Sequence, residues 1–391
     1  MRVRSFIGLV FFLAATVLSG CGGGDGSSAT PTTTVSGMAS KGPIKAGKVK
    51  VFAIRAGIQD GVPLKEGPTD NNGNYSIDVG SYTGPVLVEV TGGSYTDEVS
   101  GATVILNAPL RAVVANASIG TKTVAVTPLT ELAYKKAKGN GAFTSASIDD
   151  ANAKIAAMFK LTDIVSTLPV SGGTSDDQKK YAAACGSFSQ LINDNKGIGE
   201  TTDAALSRLL NQLGDEMEHG SGFSLDSIGK LNSAITKFSS SDKNQSGGVV
   251  TPFPAPTGGH LKLNASGTAN NIGSIDVTVD LPVGVKVQAD SITGEVAAGV
   301  VAISGVAAVG DSKLVSAKYT PGAPGRLHIA LVNTTGFGAG EFATIKFDLV
   351  AGGSFPASKD AFSVSGFTVK GQDSVALVGV TAAPAALGAE L

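Results

Sequence analysis

The chain has 391 residues, of which 52 are Gly and none is Trp, and its 30 Lys and Arg nearly balance 32 Asp and Glu at a formal net charge of −2. This balance lacks the concentrated basic charge of a nucleic-acid binder, and three His with two Cys argue against a His- or Cys-rich metal site. We therefore expect no nucleic-acid partner, no metal and no cofactor, whereas the length predicts two or three domains and the abundant Gly predicts short strands and turns.

The amino terminus has the features of a secretory leader. Arg2 and Arg4 precede an apolar run over residues 6–18, which is too short for a transmembrane helix. The leader ends in the tetrapeptide LSGC, which closes at Cys21 and resembles the bacterial lipobox, whose cysteine is diacylated and becomes the mature N-terminus. An ordinary signal peptide that contains a cysteine is the alternative. Because Gly22 stands where an inner-membrane retention Asp would stand, the resemblance implies a lipid anchor in the outer membrane, facing either the periplasm or the outside.

Shifts in composition and in hydrophobic period divide the chain into six segments. They are a signal peptide (1–20), a flexible tether (21–34), a small β-sandwich (35–127), a helical domain (128–238), a Ser/Gly/Pro linker (239–259) and a second β-sandwich (260–391). The Gly and Ser of the tether and linker predict flexibility, and the prolines of the linker predict a stiffer, extended spacer at its end. The predicted fold class is therefore multidomain α+β.

The first β segment alternates apolar and polar residues with period two. This pattern is clearest over residues 75–79 and 86–90, with turns at residues 41–43, 70–73 and 92–93. Short strands at this spacing predict a small antiparallel sandwich.

Two motifs in this segment carry a resemblance. The sequence KGPI at residues 41–44 and the turn TDNNGNY at residues 69–75 resemble the carboxypeptidase regulatory-like, transthyretin-type β-sandwich. In such a turn we expect Asp70 to accept hydrogen bonds from turn amides, Gly73 to take a positive φ, and Tyr75 to begin the next strand. The resemblance implies an appended module without chemistry of its own, and a single carboxylate is too few for a calcium loop.

Asp97 and Glu98 form a second acidic pair in this segment. Some related surface modules join a Lys to an Asn or Asp through a nearby acid, and Lys48 or Lys50 could supply that lysine. Because no terminal Asn aligns with this scheme, we expect Asp97 and Glu98 to lie in a solvated turn.

The middle segment has apolar residues at helical spacing. Thr127 is a capping-type residue before the first helix, and the apolar stripes that follow predict a bundle of four or five helices. Cys185 lies in a small-residue helical stretch and has no disulfide partner once Cys21 is lipidated, which predicts a buried structural thiol. His219 falls after a helix, where it favours the C-terminal dipole rather than a metal.

The last segment is again all β. Period-two alternation over residues 275–281, 327–331 and 343–349, with further strands near 362–369 and 375–380, predicts eight or nine strands in a sandwich of jelly-roll type. The sequences IDVTVDL at 275–281 and GAGEFATIKFD at 338–348 resemble a cohesin-like domain. This resemblance implies a protein partner, dockerin-like in the family, and no dockerin repeat occurs in the chain itself.

Catalytic motifs are lacking in the sequence. It contains no Gly-rich phosphate loop, no GxSxG elbow and no HExxH pair. Asp276 and Asp280 lie four residues apart on one strand face, about 13 Å from each other, which is too far for a catalytic carboxylate pair. We therefore expect a non-enzymatic protein, and an enzyme site in the helical segment is the least supported reading.

Two binding hypotheses remain. The first is protein–protein recognition by the cohesin-like segment through the polar strand face of Asp276, Thr278 and Asp280. The second is carbohydrate binding by the β-sandwiches, with tyrosines as stacking groups; the candidates are Tyr82, Tyr95 and Tyr319. In either case a lipid anchor at Cys21 would raise the local concentration of whatever the distal domain binds.

Overall fold

The computed structural model describes residues 30–139, 141–219 and 222–390, without the side chains of Glu218 and His219. The predicted signal peptide (1–20), the lipidation site Cys21 and most of the tether lie outside the described residues, as does the side chain of His219. These assignments stay predictions.

Ten strands form the first β unit. They are β1 (Thr33–Ala39), β2 (Lys48–Arg55), β3 (Ile58–Gln59), β4 (Lys65–Pro68), β5 (Asn74–Asp78), β6 (Gly84–Thr91), β7 (Ser94–Thr96), β8 (Thr103–Ile105), β9 (Leu110–Ala117) and β10 (Gly120–Val126). One sheet has the order β10-β1-β5, the other has the order β3-β2-β6-β9 with β4 also on β2, and β7 pairs with β8 as a hairpin. Residues Thr33 and Thr34, assigned above to the tether, belong to β1.

The expectation of a purely antiparallel sandwich is wrong in one place. Strand β1 pairs in parallel with β10, from Thr33 opposite Gly120 to Ala39 opposite Val126. Because the two strands come from opposite ends of the segment, a long connection can bring them together in parallel, whereas a tight hairpin cannot.

Five helices follow in the described part of the chain. They are α1 (Pro128–Gly139), α2 (Ser145–Met158), α3 (Asp176–Asn195), α4 (Thr202–His219) and α5 (Leu225–Ser239). The Oγ1 atom of Thr127 accepts hydrogen bonds from the backbone N–H groups of Leu129 and Thr130, so Thr127 caps α1 as expected. None of the described helices is both long and apolar enough to span a membrane.

The first sandwich and the helices share one hydrophobic core. Buried residues of the strands, such as Val51 and Leu87, belong to the same contiguous cluster as Phe188 of α3 and Leu209 of α4. Helices α1 and α2 pack on strand β9. The two segments that composition separates are therefore one structural unit, because helix faces that are apolar need an apolar partner and the sheet provides it.

The linker is packed against the helices and does not run free. Val250 and Phe253 are buried in the shared core, and the ring of Phe253 meets Phe159 edge-on at 5.3 Å between centroids. The side chain of Asn232 bonds both the backbone N–H and the carbonyl of Phe253, at 2.7 and 3.0 Å. Apolar residues between the prolines supply the anchoring that the overall polar composition of the linker conceals.

Nine strands in the described residues form the second sandwich. They are β11 (Gly258–Ser266), β12 (Ile272–Leu281), β13 (Val285–Lys286), β14 (Val301–Ile303), β15 (Ser312–Thr320), β16 (Gly325–Phe337), β17 (Gly340–Leu349), β18 (Ser363–Gly371) and β19 (Thr381–Glu390). One sheet has the order β13-β17-β11-β19 with β14 on β17, and the other has the order β15-β16-β12-β18. The two sheets enclose a separate core.

The strand predicted near residues 375–380 is wrong. Val375 and Val378 are exposed, and the final strand is β19, which pairs with β11 along its whole length. Strand β19 has an Ala/Pro/Gly-rich sequence without large alternating residues, so it gives no period-two signal. The register with β11 shifts where Leu263 faces Pro384, which accommodates the missing N–H of the proline.

Candidate functional site

The three predicted binding residues lie together on the outer side of the second sandwich. Strand β12 buries Ile275, Val277 and Val279 in the core, so the alternating residues Asp276, Thr278 and Asp280 point outward. Strand β12 is flanked by β16 on one side and β18 on the other. The alternation of this strand therefore places the three side chains in the middle of a four-stranded sheet.

Basic residues of strand β16 complete this surface. The Nε2 atom of His328 lies 3.0 Å from Oδ1 of Asp276, and Nε of Arg326 lies 3.3 Å from Oδ1 of Asp280. In register, Thr278 faces His328 on one side and Gly366 on the other. We call Asp276, Thr278, Asp280, Arg326 and His328 together the polar sheet face.

The polar sheet face is suited to binding. Its charged groups are held in fixed positions by strand pairing and by contacts between oppositely charged side chains, which reduces the entropy lost when a partner orders them. The hydroxyl of Ser365 on β18 donates to Asp280 at 3.0 Å and further fixes that carboxylate. Acids and bases paired in this way provide polar complementarity and no activated nucleophile.

The three tyrosines do not form a platform. Tyr95 is only 1% exposed, so its ring cannot stack on a sugar. Tyr82 packs on the first core and donates its hydroxyl to the carbonyl of Pro85 at 2.8 Å, whereas Tyr319 packs on the second core. Two partly buried rings on separate cores, with the third ring inside, do not supply one stacking surface.

The structure reveals a buried cluster that sequence reasoning missed. Lys41 is 0% exposed and its Nζ atom lies 3.5 Å from both Oδ2 of Asp97 and Oε2 of Glu98. Its ammonium also donates to Oγ of Ser189 on α3, which in turn donates to Glu98. The Tyr95 ring lies 5.2 Å from Nζ. Lys41, Tyr95, Asp97, Glu98 and Ser189 form what we call the junction cluster, because it joins the first sandwich to α3.

The expectation that Asp97 and Glu98 lie in a solvated turn is wrong for Asp97, which is 2% exposed. Oδ1 of Asp97 accepts from Ser100 N–H and Oγ, both at 2.9 Å, while its buried Oδ2 accepts no hydrogen bond from the described residues. Burial alone would raise the pKa of Asp97, but Lys41 and the Ser100 hydrogen bonds outweigh it and hold the pKa below its usual value. The turn is real, but the lysine that it faces lies inside the protein.

The junction cluster holds its lysine as an ammonium ion. Burial would lower the pKa of Lys41, but the neighbouring acidic groups, Glu98 first among them, raise it above its usual value. A protonated Lys41 cannot accept the proton of Ser189, and the buried hydroxyl of Ser189 is closed to substrate. Cys185 nearby is buried, as predicted, and burial raises the pKa of its thiol. The cluster therefore acts as an ionic clamp.

A cleft of about 600 Å³ opens beside the junction cluster. Its polar lining includes Asn72, Asn74 and Glu98, and its apolar lining includes Cys185 and Phe238. A cavity of this size falls in the range of small-molecule sites.

The turn that carries the first resemblance has the expected geometry. Oδ1 of Asp70 accepts from the N–H groups of Asn72 and Asn74, each at 2.8 Å, and Gly73 has a φ of 80°. Tyr75 is buried and donates its hydroxyl to the carbonyl of Val124 on β10 at 2.7 Å. The hydrogen bonds of Asp70 lower its pKa below the usual value. Asp70 therefore organises the turn that leads into β5.

In comparisons with known proteins, no family model matches the chain and no curated protein matches it. Two solved structures are similar. A non-cellulosomal cohesin from the hyperthermophilic archaeon Archaeoglobus fulgidus matches with 16% identity and a TM-score of 0.21, over 32% of this chain and 75% of that chain. A 9R-lipoxygenase from Cyanothece PCC8801 matches with 13% identity and a TM-score of 0.15, over 55% of this chain and 28% of that chain. At these TM-scores neither likeness assigns a fold, and the architecture rests on the strand order described above.

Proposed function

We propose that this chain is a non-enzymatic, lipid-anchored protein of the bacterial outer membrane that binds another protein through the polar sheet face. The observation that carries the proposal is the pairing of Asp276 and Asp280 with His328 and Arg326 on an uncovered sheet. Charges of both signs on a flat, fixed surface favour a partner with complementary charges. In this proposal the second sandwich is cohesin-like and its partner is dockerin-like.

The first sandwich and the helices would then serve as the support for this domain. The first sandwich would be a carboxypeptidase regulatory-like module without chemistry of its own, and acylation at Cys21 would hold the whole chain at the periplasmic or the outer surface. The ammonium form of Lys41 supports a structural role for the junction cluster. Metabolic labelling with a palmitate analogue tests the anchor, which Cys21→Ser should abolish.

The binding proposal is tested by affinity capture with the full chain from envelope extract. We expect one saturable protein partner whose affinity falls at least tenfold in the double variant Asp276→Asn/Asp280→Asn, because paired charges at an interface centre carry much of the binding energy. The control is Asp360→Asn, an exposed carboxylate that lies outside the polar sheet face. Equal binding by the two variants would reject this face as the site.

Carbohydrate binding is the second candidate, and the cleft beside the junction cluster favours it over the tyrosines. Carboxylate and amide groups from Glu98, Asn72 and Asn74 line this cleft, and such groups bond sugar hydroxyls. A glycan array should then give a hit that Asn72→Ala weakens, while Asn107→Ala, outside the cleft, leaves it unchanged. An array without hits would remove this candidate.

A further inference from the structure

A second, smaller cavity lies where α2 and the packed linker meet the second sandwich. Its volume is about 240 Å³. Apolar side chains form much of its wall, and two basic side chains enter it; the apolar ones include Met158, Phe253 and Pro254, and the basic ones include Lys154 and His260. Ala389 of β19 closes the cavity, and its N–H donates to the carbonyl of Phe223 at 3.3 Å. The cavity is therefore built from both structural units.

Positive charge exceeds negative charge around this cavity. Lys154 and Lys160 line it, and Lys136 and Lys346 act electrostatically on His260. Against these four ammonium groups stand two carboxylates among the described residues, Asp150 and Glu390. Each carboxylate already has a lysine partner: Glu390 bonds Lys346 at 2.7 Å, and Asp150 lies 3.8 Å from Lys136.

His260 responds to this imbalance. Its Nδ1 atom is buried and has no hydrogen-bond partner among the described residues. Burial lowers the pKa of His260, and the lysines lower it further against the opposing effect of Glu390. Burial likewise lowers the pKa of Lys154, with Lys136 adding to the effect. An anion in the cavity would supply the charge that both groups lack.

We propose that this cavity binds a small organic carboxylate, with its carboxylate group between Lys154 and His260 and its apolar body against Met158, Phe253 and Pro254. The apolar wall favours an organic anion over an inorganic one, because burial of the apolar body adds to the charge interaction. The cavity is smaller than the usual range for drug-sized ligands, so the ligand has few heavy atoms. Its position makes the ligand a bridge between the helical unit and the second sandwich.

Benzoate is the probe, and the imidazole resonances of the full chain are the readout, since the chain has only three His. A bound carboxylate stabilises the imidazolium, so benzoate should raise the pKa of His260, and by linkage its affinity should increase as the pH falls through that pKa. Each unit of upward shift corresponds to tenfold tighter binding to the protonated form. The resonance of His328, on the polar sheet face, should not shift with benzoate.

Charge-matched variants locate the site. Lys154→Gln should weaken benzoate at least tenfold, whereas Lys318→Gln, which removes an exposed lysine of β15, should leave it unchanged. His260→Gln should keep the fold and abolish the pH dependence of binding. Binding of inorganic phosphate without benzoate would overturn the organic ligand, and benzoate binding that is unaffected by Lys154→Gln and His260→Gln, or no binding of either anion, would overturn the site.

Discussion

The two β-sandwiches bury their sheets in different ways. In the first, α1 and α2 cover strand β9, and Arg111 of that strand bonds Glu89 of β6 and Glu131 of α1, each at 3.0 Å. In the second, each sheet turns one face to a separate core, and the sheet that contains β12 keeps its polar residues on the outside. Helices thus commit the first sandwich to the interior of a larger unit, whereas the second retains a surface that a partner can reach.

The largest effect should come from breaking the ionic clamp. Lys41→Met leaves Asp97 and Glu98 without their buried counter-charge and should lower the free energy of unfolding by about 3–5 kcal/mol. Circular dichroism in urea should show strands and helices of the shared core unfolding together at lower denaturant.

The control for this prediction is Lys48→Met. Lys48 lies 2.9 Å from Glu66, with the two side chains 54% and 48% exposed, so its loss should cost less than about 1 kcal/mol. The double variant Lys41→Met/Asp97→Asn should recover part of the stability that Lys41→Met loses. Equal midpoints for Lys41→Met and Lys48→Met would show that the clamp contributes nothing.

A pH effect should separate the two units next. Burial raises the pKa of Glu131 from 4.5 to about 7, against the opposing charge of Arg111, so the folded state keeps a proton that the unfolded state releases. Stability should therefore fall as the pH rises from about 4.5 to about 7, by about 3 kcal/mol for this group.

Comparison with Glu131→Gln isolates this contribution. His260, whose pKa is lowered, gives the opposite slope just below its usual value, and its contribution cancels in the difference between wild type and variant. The difference in urea-derived stability should shrink in favour of the variant between pH 4 and pH 8 by the ~3 kcal/mol above. A difference that does not change with pH would contradict the buried acid.

Packing between α3 and α5 should show a smaller effect. A Cβ atom at Gly186 would lie 2.1 Å from the Cζ atom of Phe238, which is buried and cannot move aside. Gly186→Ala should cost about 1–3 kcal/mol, measured by urea unfolding, although alanine favours a helix. Gly229→Ala in α5 meets no atom within 4 Å and should gain up to about 1 kcal/mol. If both variants were stabilised, the close approach of the two helices would be wrong.

Local patterns predicted much of the fold. The alternation at 275–281 and 343–349 gives β12 and β17, and the helix predicted at 176–194 coincides with α3, where Ser175 and Gln178 form a capping box. The polar sheet face was found in the same way, because alternation alone puts Asp276, Thr278 and Asp280 on one side.

Contacts between distant residues escaped this reasoning. Lys41 and Ser189 are 148 residues apart, and no local pattern links them. A lysine between Ser40 and Gly42 is ordinary in a turn, so its burial appears only when α3 packs against the sandwich. The same holds for Phe253, whose neighbouring prolines suggest a spacer while its ring packs in the core. Tertiary packing decides each of these positions.

The smallest stability effect should come from the polar sheet face, and it sharpens the comparison most. Asp280 contacts the largely exposed Arg326 at 3.3 Å, so Asp280→Asn should change the free energy of unfolding by less than about 1 kcal/mol. The same substitution should weaken partner binding, because a fixed carboxylate on an uncovered sheet matters for recognition and little for folding. Urea unfolding and affinity capture on one preparation check both halves. A loss of stability as large as that of Lys41→Met would mean that this face holds the second sandwich together, and binding would have to be sought on another surface.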